Sequence, residues 1–141
     1  MEHDLKKARK ILDQSGYTCV LVHGTQIRSS NHRGVRPLLD LLDSGESLCG
    51  FCAADKVVGK ATAFLYVLLG VRAVYARVVS VPAAQVLEAY GIQLEYDSQV
   101  DAIANRNKTG LCPMESAVRH IEEPPAALNA VRDTLRRLQN T

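Results

Sequence analysis

Leu48-Cys49-Gly50-Phe51-Cys52-Ala53-Ala54 runs into Asp55-Lys56-Val57-Val58-Gly59-Lys60-Ala61, and beyond Gly70 comes Arg72-Ala73-Val74-Tyr75-Ala76-Arg77-Val78-Val79. These three runs decide the fold. The first is small and apolar, which predicts a central strand over 48–54. Residues 57–69 are apolar on nearly every face and stop at Gly70, so they predict a helix buried within the domain. The third run, rich in Val and Tyr, predicts the next strand. A strand, a helix and a strand in such close order make a parallel crossover.

Working outward, Leu5, Ala8, Ile11 and Leu12 fall at helical spacing, and Gly16 is placed to end that helix in the left-handed region. Residues 17–23 and 25–30 read as a hairpin turning at Gly24. Ser29, Ser30 and Asn31 are candidate caps for a helix carrying Val35, Leu38, Leu39 and Leu42. Downstream, Ser80 caps a helix with Pro82 in its first turn, and Ile92, Leu94 and Tyr96 alternate as an edge strand does. Asn105-Arg106-Asn107-Lys108-Thr109-Gly110 is a polar turn, Cys112-Pro113-Met114-Glu115 opens a short helix, and 126–138 forms a last amphipathic one. The reading is one α/β domain over 1–141, with a five-stranded mixed sheet and helices on both faces.

Composition excludes more than it names. The chain has 141 residues, 47% hydrophobic and 23% charged, the mixture of a folded globular protein. Seventeen Lys and Arg against fifteen Asp and Glu leave +2, too little to indicate nucleic acid or an anionic membrane. With 5% aromatics and no Trp, base-stacking platforms are not evident either. The most apolar stretch, 57–71, is about five residues short of the ~20 that span a bilayer, and Lys60 interrupts it. No secretory pattern opens the chain, so its four cysteines are expected reduced, in a cytoplasm.

Three clusters carry candidate chemistry. Cys49 and Cys52 have a Cys-x-x-Cys spacing, but on a strand they would point to opposite faces, so two buried structural thiols are expected rather than a metal site. Asp55, Gly59 and Lys60 lie where a central strand leaves the sheet, the usual ligand-binding edge of an open α/β fold. Lys60, a charge on an apolar helix, either snorkels to water with Asp55 capping the helix, or faces a polar cavity as a base or an anion holder. Pro113 fits a first helical position, which puts Cys112 at the N-cap, where a thiol gains reactivity. Glu115 then either carries a proton or closes a capping box onto the Cys112 N–H. Asn105 and Arg106 add polar donors, Arg106 a bidentate one for carboxylate or phosphate. His23 and His32 read as solvated, as do Arg132, Arg136 and Arg137 on the last helix.

The motif at 55–61, Gly34-Val35-Arg36-Pro37-Leu38-Leu39, and Asn105-Arg106 with Cys112-Pro113-Met114-Glu115 together resemble a prokaryotic family of unknown function catalogued as 1893. The resemblance covers about 17–117 and leaves out the helix at 126–138. It implies a cytidine deaminase-like fold, a three-layer α/β/α sandwich around five strands. A zinc deaminase needs His or Cys followed by Ala-Glu at one helix start and Pro-Cys-x-x-Cys at the next. The matching segments here, 31–36 and 55–61, contain no Cys, and His32 is followed by Arg33 and Gly34. No metal and no cofactor are therefore expected.

The function expected is a metal-independent site for an unidentified small molecule, anionic or nucleotide-like. Lys60, Asp55 and Gly59 form one wall; Asn105, Arg106, Cys112 and Glu115 form the other. In an enzyme, Lys60, Cys112 and Glu115 would be the catalytic groups of a transferase or hydrolase. The alternative is a non-catalytic binding or regulatory module. A homo-oligomer stays open, since a dimer could also bring the two stretches together.

Overall fold

The hairpin at Gly24 sets one edge of the sheet. Strand β1 (Cys19–His23) pairs antiparallel with β2 (Gln26–Ser30), and its other side pairs antiparallel with β3 (Cys52–Val58). From there each strand is reached by a helical crossover and runs parallel to the last: β3 to β4 (Ala73–Ser80), β4 to β5 (Gln93–Val100). The spatial order is β2-β1-β3-β4-β5, a mixed five-stranded sheet as expected. This computed structural model describes residues 2–105 and 107–139.

Alternation along the strands divides the core in two. Val20, Val22, Cys52, Ala54, Ala73 and Tyr75 face helix α1 (Glu2–Gln14), which covers them with Leu5, Ala8 and Leu12. Cys19, Leu21, Ala53, Val74 and Ala76 face the opposite layer. That layer holds α2 (Arg36–Asp43), α3 (Lys60–Leu69) and α4 (Val81–Ala89). Two further helices, α5 (Pro113–Val118) and α6 (Pro124–Gln139), pack on α3. Helix α3 thus has the sheet beneath it, α2 and α4 beside it, and α5 and α6 over it. This explains why Lys60 through Tyr66 and Leu69 are all buried. No helix among the described residues is long and apolar enough to cross a membrane.

Five local expectations are corrected. The third strand begins at Cys52, not Leu48, because Gly50 takes φ +86° and the Phe51 N–H donates to the Leu48 carbonyl at 3.0 Å. Leu48 and Phe51 are buried side chains on a turn, so their apolarity reports burial rather than extension. The strand runs on through Asp55 and Lys56, and the helix starts at Lys60 instead of 57. In consequence Cys49 is exposed and only Cys52 of that pair is buried. The α2 N-cap is Val35 without a side-chain cap, since Ser29 and Ser30 are still paired to β1. Gly16 is not in the left-handed region; instead the Ser15 hydroxyl donates to the Ile11 carbonyl at 2.5 Å, satisfying the end of α1. By contrast Ser80 caps α4 as expected, its Oγ accepting from the Ala83 N–H at 3.1 Å.

Candidate functional site

Every α-helix begins with N–H groups that have no partner inside the helix. In α3 the first intrahelical bond runs from the Ala63 N–H to the Gly59 carbonyl, which leaves the N–H groups of Lys60 and Ala61 to be satisfied otherwise. Gly59, the N-cap, has no side chain to offer. The acceptor comes from 55 residues downstream: Glu115 Oε1 takes the Lys60 N–H at 2.7 Å and Oε2 takes that of Ala61 at 3.0 Å. A carboxylate on the positive end of a helix is favoured by both the hydrogen bonds and the macrodipole. Gly59 is required here for space rather than for its dihedrals. Its φ of −96° and ψ of 178° are open to any residue, but a Cβ would lie 2.6 Å from the Glu115 carboxyl carbon.

Lys60 returns the contact. Its Nζ donates to the Arg119 carbonyl at 3.1 Å, at the C-terminal end of α5, and lies 3.6 Å from Glu122 Oε1 and 5.8 Å from the Phe64 ring centroid. A cation at a helix C-terminus is again the favoured polarity. The start of α3 and the two ends of α5 therefore hold each other through opposite charges. Lys60 does not snorkel and is not paired with Asp55; it is buried and aimed at α5.

Asp55 sits inside β3 rather than capping α3. Its Oδ2 accepts the Tyr66 hydroxyl at 2.7 Å and its Oδ1 the Val57 N–H at 3.3 Å, while Tyr66 Oη also lies 3.2 Å from Cys19 Sγ. Burial pushes the Asp55 carboxyl up to about 6, held back by the Tyr66 and backbone donors. Burial likewise pushes the Cys19 thiol and the Tyr66 hydroxyl up, and the nearby Asp55 charge adds to both. Tyr66 is a residue the sequence reading missed. A tyrosine in an all-apolar helix needs a partner for its hydroxyl, and that requirement was the available signal.

The remaining candidates are more scattered. Cys112 is the half-buried N-cap of α5 and its thiol makes no capping bond; its backbone N–H donates to the Ile103 carbonyl at 3.0 Å, so the capping box with Glu115 does not form. Asn105 is occupied by its own turn: Nδ2 donates to Thr109 Oγ1 at 3.1 Å and Oδ1 accepts from the Thr109 N–H at 3.0 Å. Arg106 lies outside the described residues. Among the described residues no three His, Cys, Asp or Glu are placed to hold a metal ion. His23 packs against the Phe51 ring, centroids 5.2 Å apart. Arg132 reaches across to Asp43 of α2 at 2.7 Å, a contact that stays exposed to solvent.

A family model for a domain of unknown function, DUF1893, matches residues 7–135. The chain belongs to the DUF1893 family. A crystal structure of a DUF1893 protein, TM1506 from Thermotoga maritima, superposes on this DUF1893 chain with a TM-score of 0.85 at 26% identity, over 97% of this chain and 91% of that one. No curated protein matches it. More distant is the dCMP deaminase of cyanophage S-TIM5 in apo form, with a TM-score of 0.47 at 18% identity over 67% of this DUF1893 chain and 94% of that one. A bifunctional diaminohydroxyphosphoribosylaminopyrimidine deaminase and reductase from Thermotoga maritima has a TM-score of 0.42 at 14% identity, over 68% and 36% respectively.

Proposed function

We propose that this protein binds an anionic, nucleotide-like small molecule without a metal, at the junction of β3 and α3, and that α5 gates the site. One observation carries the reading: the first turn of α3 already holds a carboxylate, that of Glu115. A ligand phosphate or carboxylate that displaced Glu115 would meet the same two N–H donors, the open space at Gly59, and the Lys60 ammonium released from Arg119. Asp55 on β3 supplies a neighbouring polar group, and Asn105 is the proposed far wall. A catalytic version uses Lys60 or Cys112 as base or nucleophile and Glu115 as proton carrier, in a transferase or hydrolase. The binding version has the stronger support, because Lys60 and Glu115 are both engaged in holding α5.

Competition gives the test a sign that ordinary truncation lacks. A panel of nucleoside monophosphates and small carboxylates is screened by thermal shift on the parent and on Glu115→Ala. The expected result is a compound that binds Glu115→Ala at least tenfold more tightly than the parent, and no longer binds when Lys60→Ala is added. Equal affinity for parent and Glu115→Ala across the panel contradicts the proposal. In the same samples, rapid alkylation of Cys112 by iodoacetamide near neutral pH supports the catalytic version, and slow alkylation supports the binding module.

A further inference from the structure

Cys19, Tyr66 and Asp55 form a hydrogen-bonded chain that the clasp between α3 and α5 does not use. Cys19 of β1 lies opposite Asp55 of β3, and α3 brings Tyr66 to both: its Oη is 2.7 Å from Asp55 Oδ2 and 3.2 Å from Cys19 Sγ. Cys19 and Tyr66 are buried, whereas Asp55 is half-buried, so solvent reaches the chain at the carboxyl end.

The supply of donors allows two arrangements. A thiol and a hydroxyl each have one proton to donate, and an ionised carboxylate has none. With Asp55 ionised, Tyr66 donates to Oδ2, and its oxygen is left to accept the Cys19 S–H. A protonated Asp55 carries its proton on Oδ2, because Oδ1 already accepts the Val57 N–H at 3.3 Å. Two protons do not fit between oxygens 2.7 Å apart, so Tyr66 turns its own toward the remaining acceptor, Cys19 Sγ. The thiol changes from donor to acceptor.

No neighbouring charge competes for this role. The other titratable residue of β1, His23, packs against Phe51. On β4 the residue opposite Asp55 is Ala76, and Arg77 is paired with Asp13 of α1. The one charged residue of α3, Lys60, is held at Arg119 and Glu122. Lys56, beside Asp55, contributes its backbone N–H. Burial pushes the Asp55 carboxyl up to about 6, so it takes up its proton in mildly acidic solution.

We infer that the Asp55–Tyr66–Cys19 chain is a pH-sensitive switch: when Asp55 takes up a proton, both hydrogen bonds reverse direction. Helix α3 then passes from donating to a charged group on β3 to donating to the thiol on β1. The switch needs no ligand and involves none of Gly59, Lys60 and Glu115.

The S–H stretching band of Cys19 reads the direction, since a donating thiol absorbs at lower frequency than a free one. Infrared spectra of the parent are recorded from pH 5 to pH 8, with Cys19→Ala identifying the band and carbon NMR following the Asp55 carboxyl in parallel. The expected result is a low-frequency band at pH 8 that shifts upward at pH 5, with the same midpoint as the Asp55 carboxyl. In Tyr66→Phe, which lacks the intervening oxygen, the band stays at the higher frequency throughout. A parent band that does not move between pH 5 and pH 8 overturns the proposal, whether or not Tyr66→Phe folds. A shift that persists in Tyr66→Phe also overturns it, because it reports only the changing charge of Asp55.

Discussion

Among the carboxylates that reach helix α3, Glu115 and Asp55 are held in opposite ways. Glu115 meets the first turn, where the backbone itself supplies two N–H donors and the positive end of the dipole. Asp55 lies alongside Tyr66, in the second half of the same helix, with one hydroxyl and one long backbone contact against the cost of burial. Two backbone donors hold the first in place; burial favours the protonated form of the second. A carboxylate on this helix is therefore a clasp or a liability according to where along the axis it lands.

The largest effect expected follows from removing the clasp. Glu115→Ala strips two charge-assisted bonds from α3 and should cost about 2–3 kcal/mol, roughly 6–12 °C in melting temperature for a domain of this size. A loss below about 0.5 kcal/mol in denaturant unfolding would place Glu115 among ordinary surface groups.

Asp55 gives the opposite trend and a pH signature. Its folded-state value of about 6 lies above its ordinary 3.8, so the protonated group favours the folded state below 3.8, and that contribution is lost as pH rises through 6. At ~1.4 kcal/mol per unit and after discounting partial exposure, the loss is about 2 kcal/mol. Asp55→Asn should therefore gain stability relative to the parent by about that amount between pH 4 and pH 7, measured by urea unfolding at each pH. A difference that stays flat with pH would mean that the carboxyl is well solvated.

How much of this was legible in the sequence follows from distance along the chain. Element order, the mixed sheet and the ends of α3 and α4 at Gly70 and Gly91 rest on local signals: periodicity, a capping serine, a glycine able to adopt positive φ. The start of α3 has no local signal, because its cap is 55 residues away and Gly59 reads as permissive when it is in fact a clearance. Proximity to the helix points to Asp55 as the cap of α3, a place that Glu115 takes instead. Glu115, at the third position of its own helix, satisfied the spacing of a capping box there. Leu48 and Phe51 misled for a related reason, since a buried turn is as apolar as a buried strand.

The clasp is tested most directly by a double-mutant cycle joining Gly59→Ala and Glu115→Ala. In the parent, the new Cβ must push the Glu115 carboxyl off the helix, since the two would be 2.6 Å apart, and Gly59→Ala should cost about 1–2 kcal/mol. With Glu115→Ala already in place nothing remains to displace, and at this extended backbone the same change should cost close to zero. A coupling of about 1–2 kcal/mol is the predicted result; an equal cost for Gly59→Ala in both backgrounds would contradict the account.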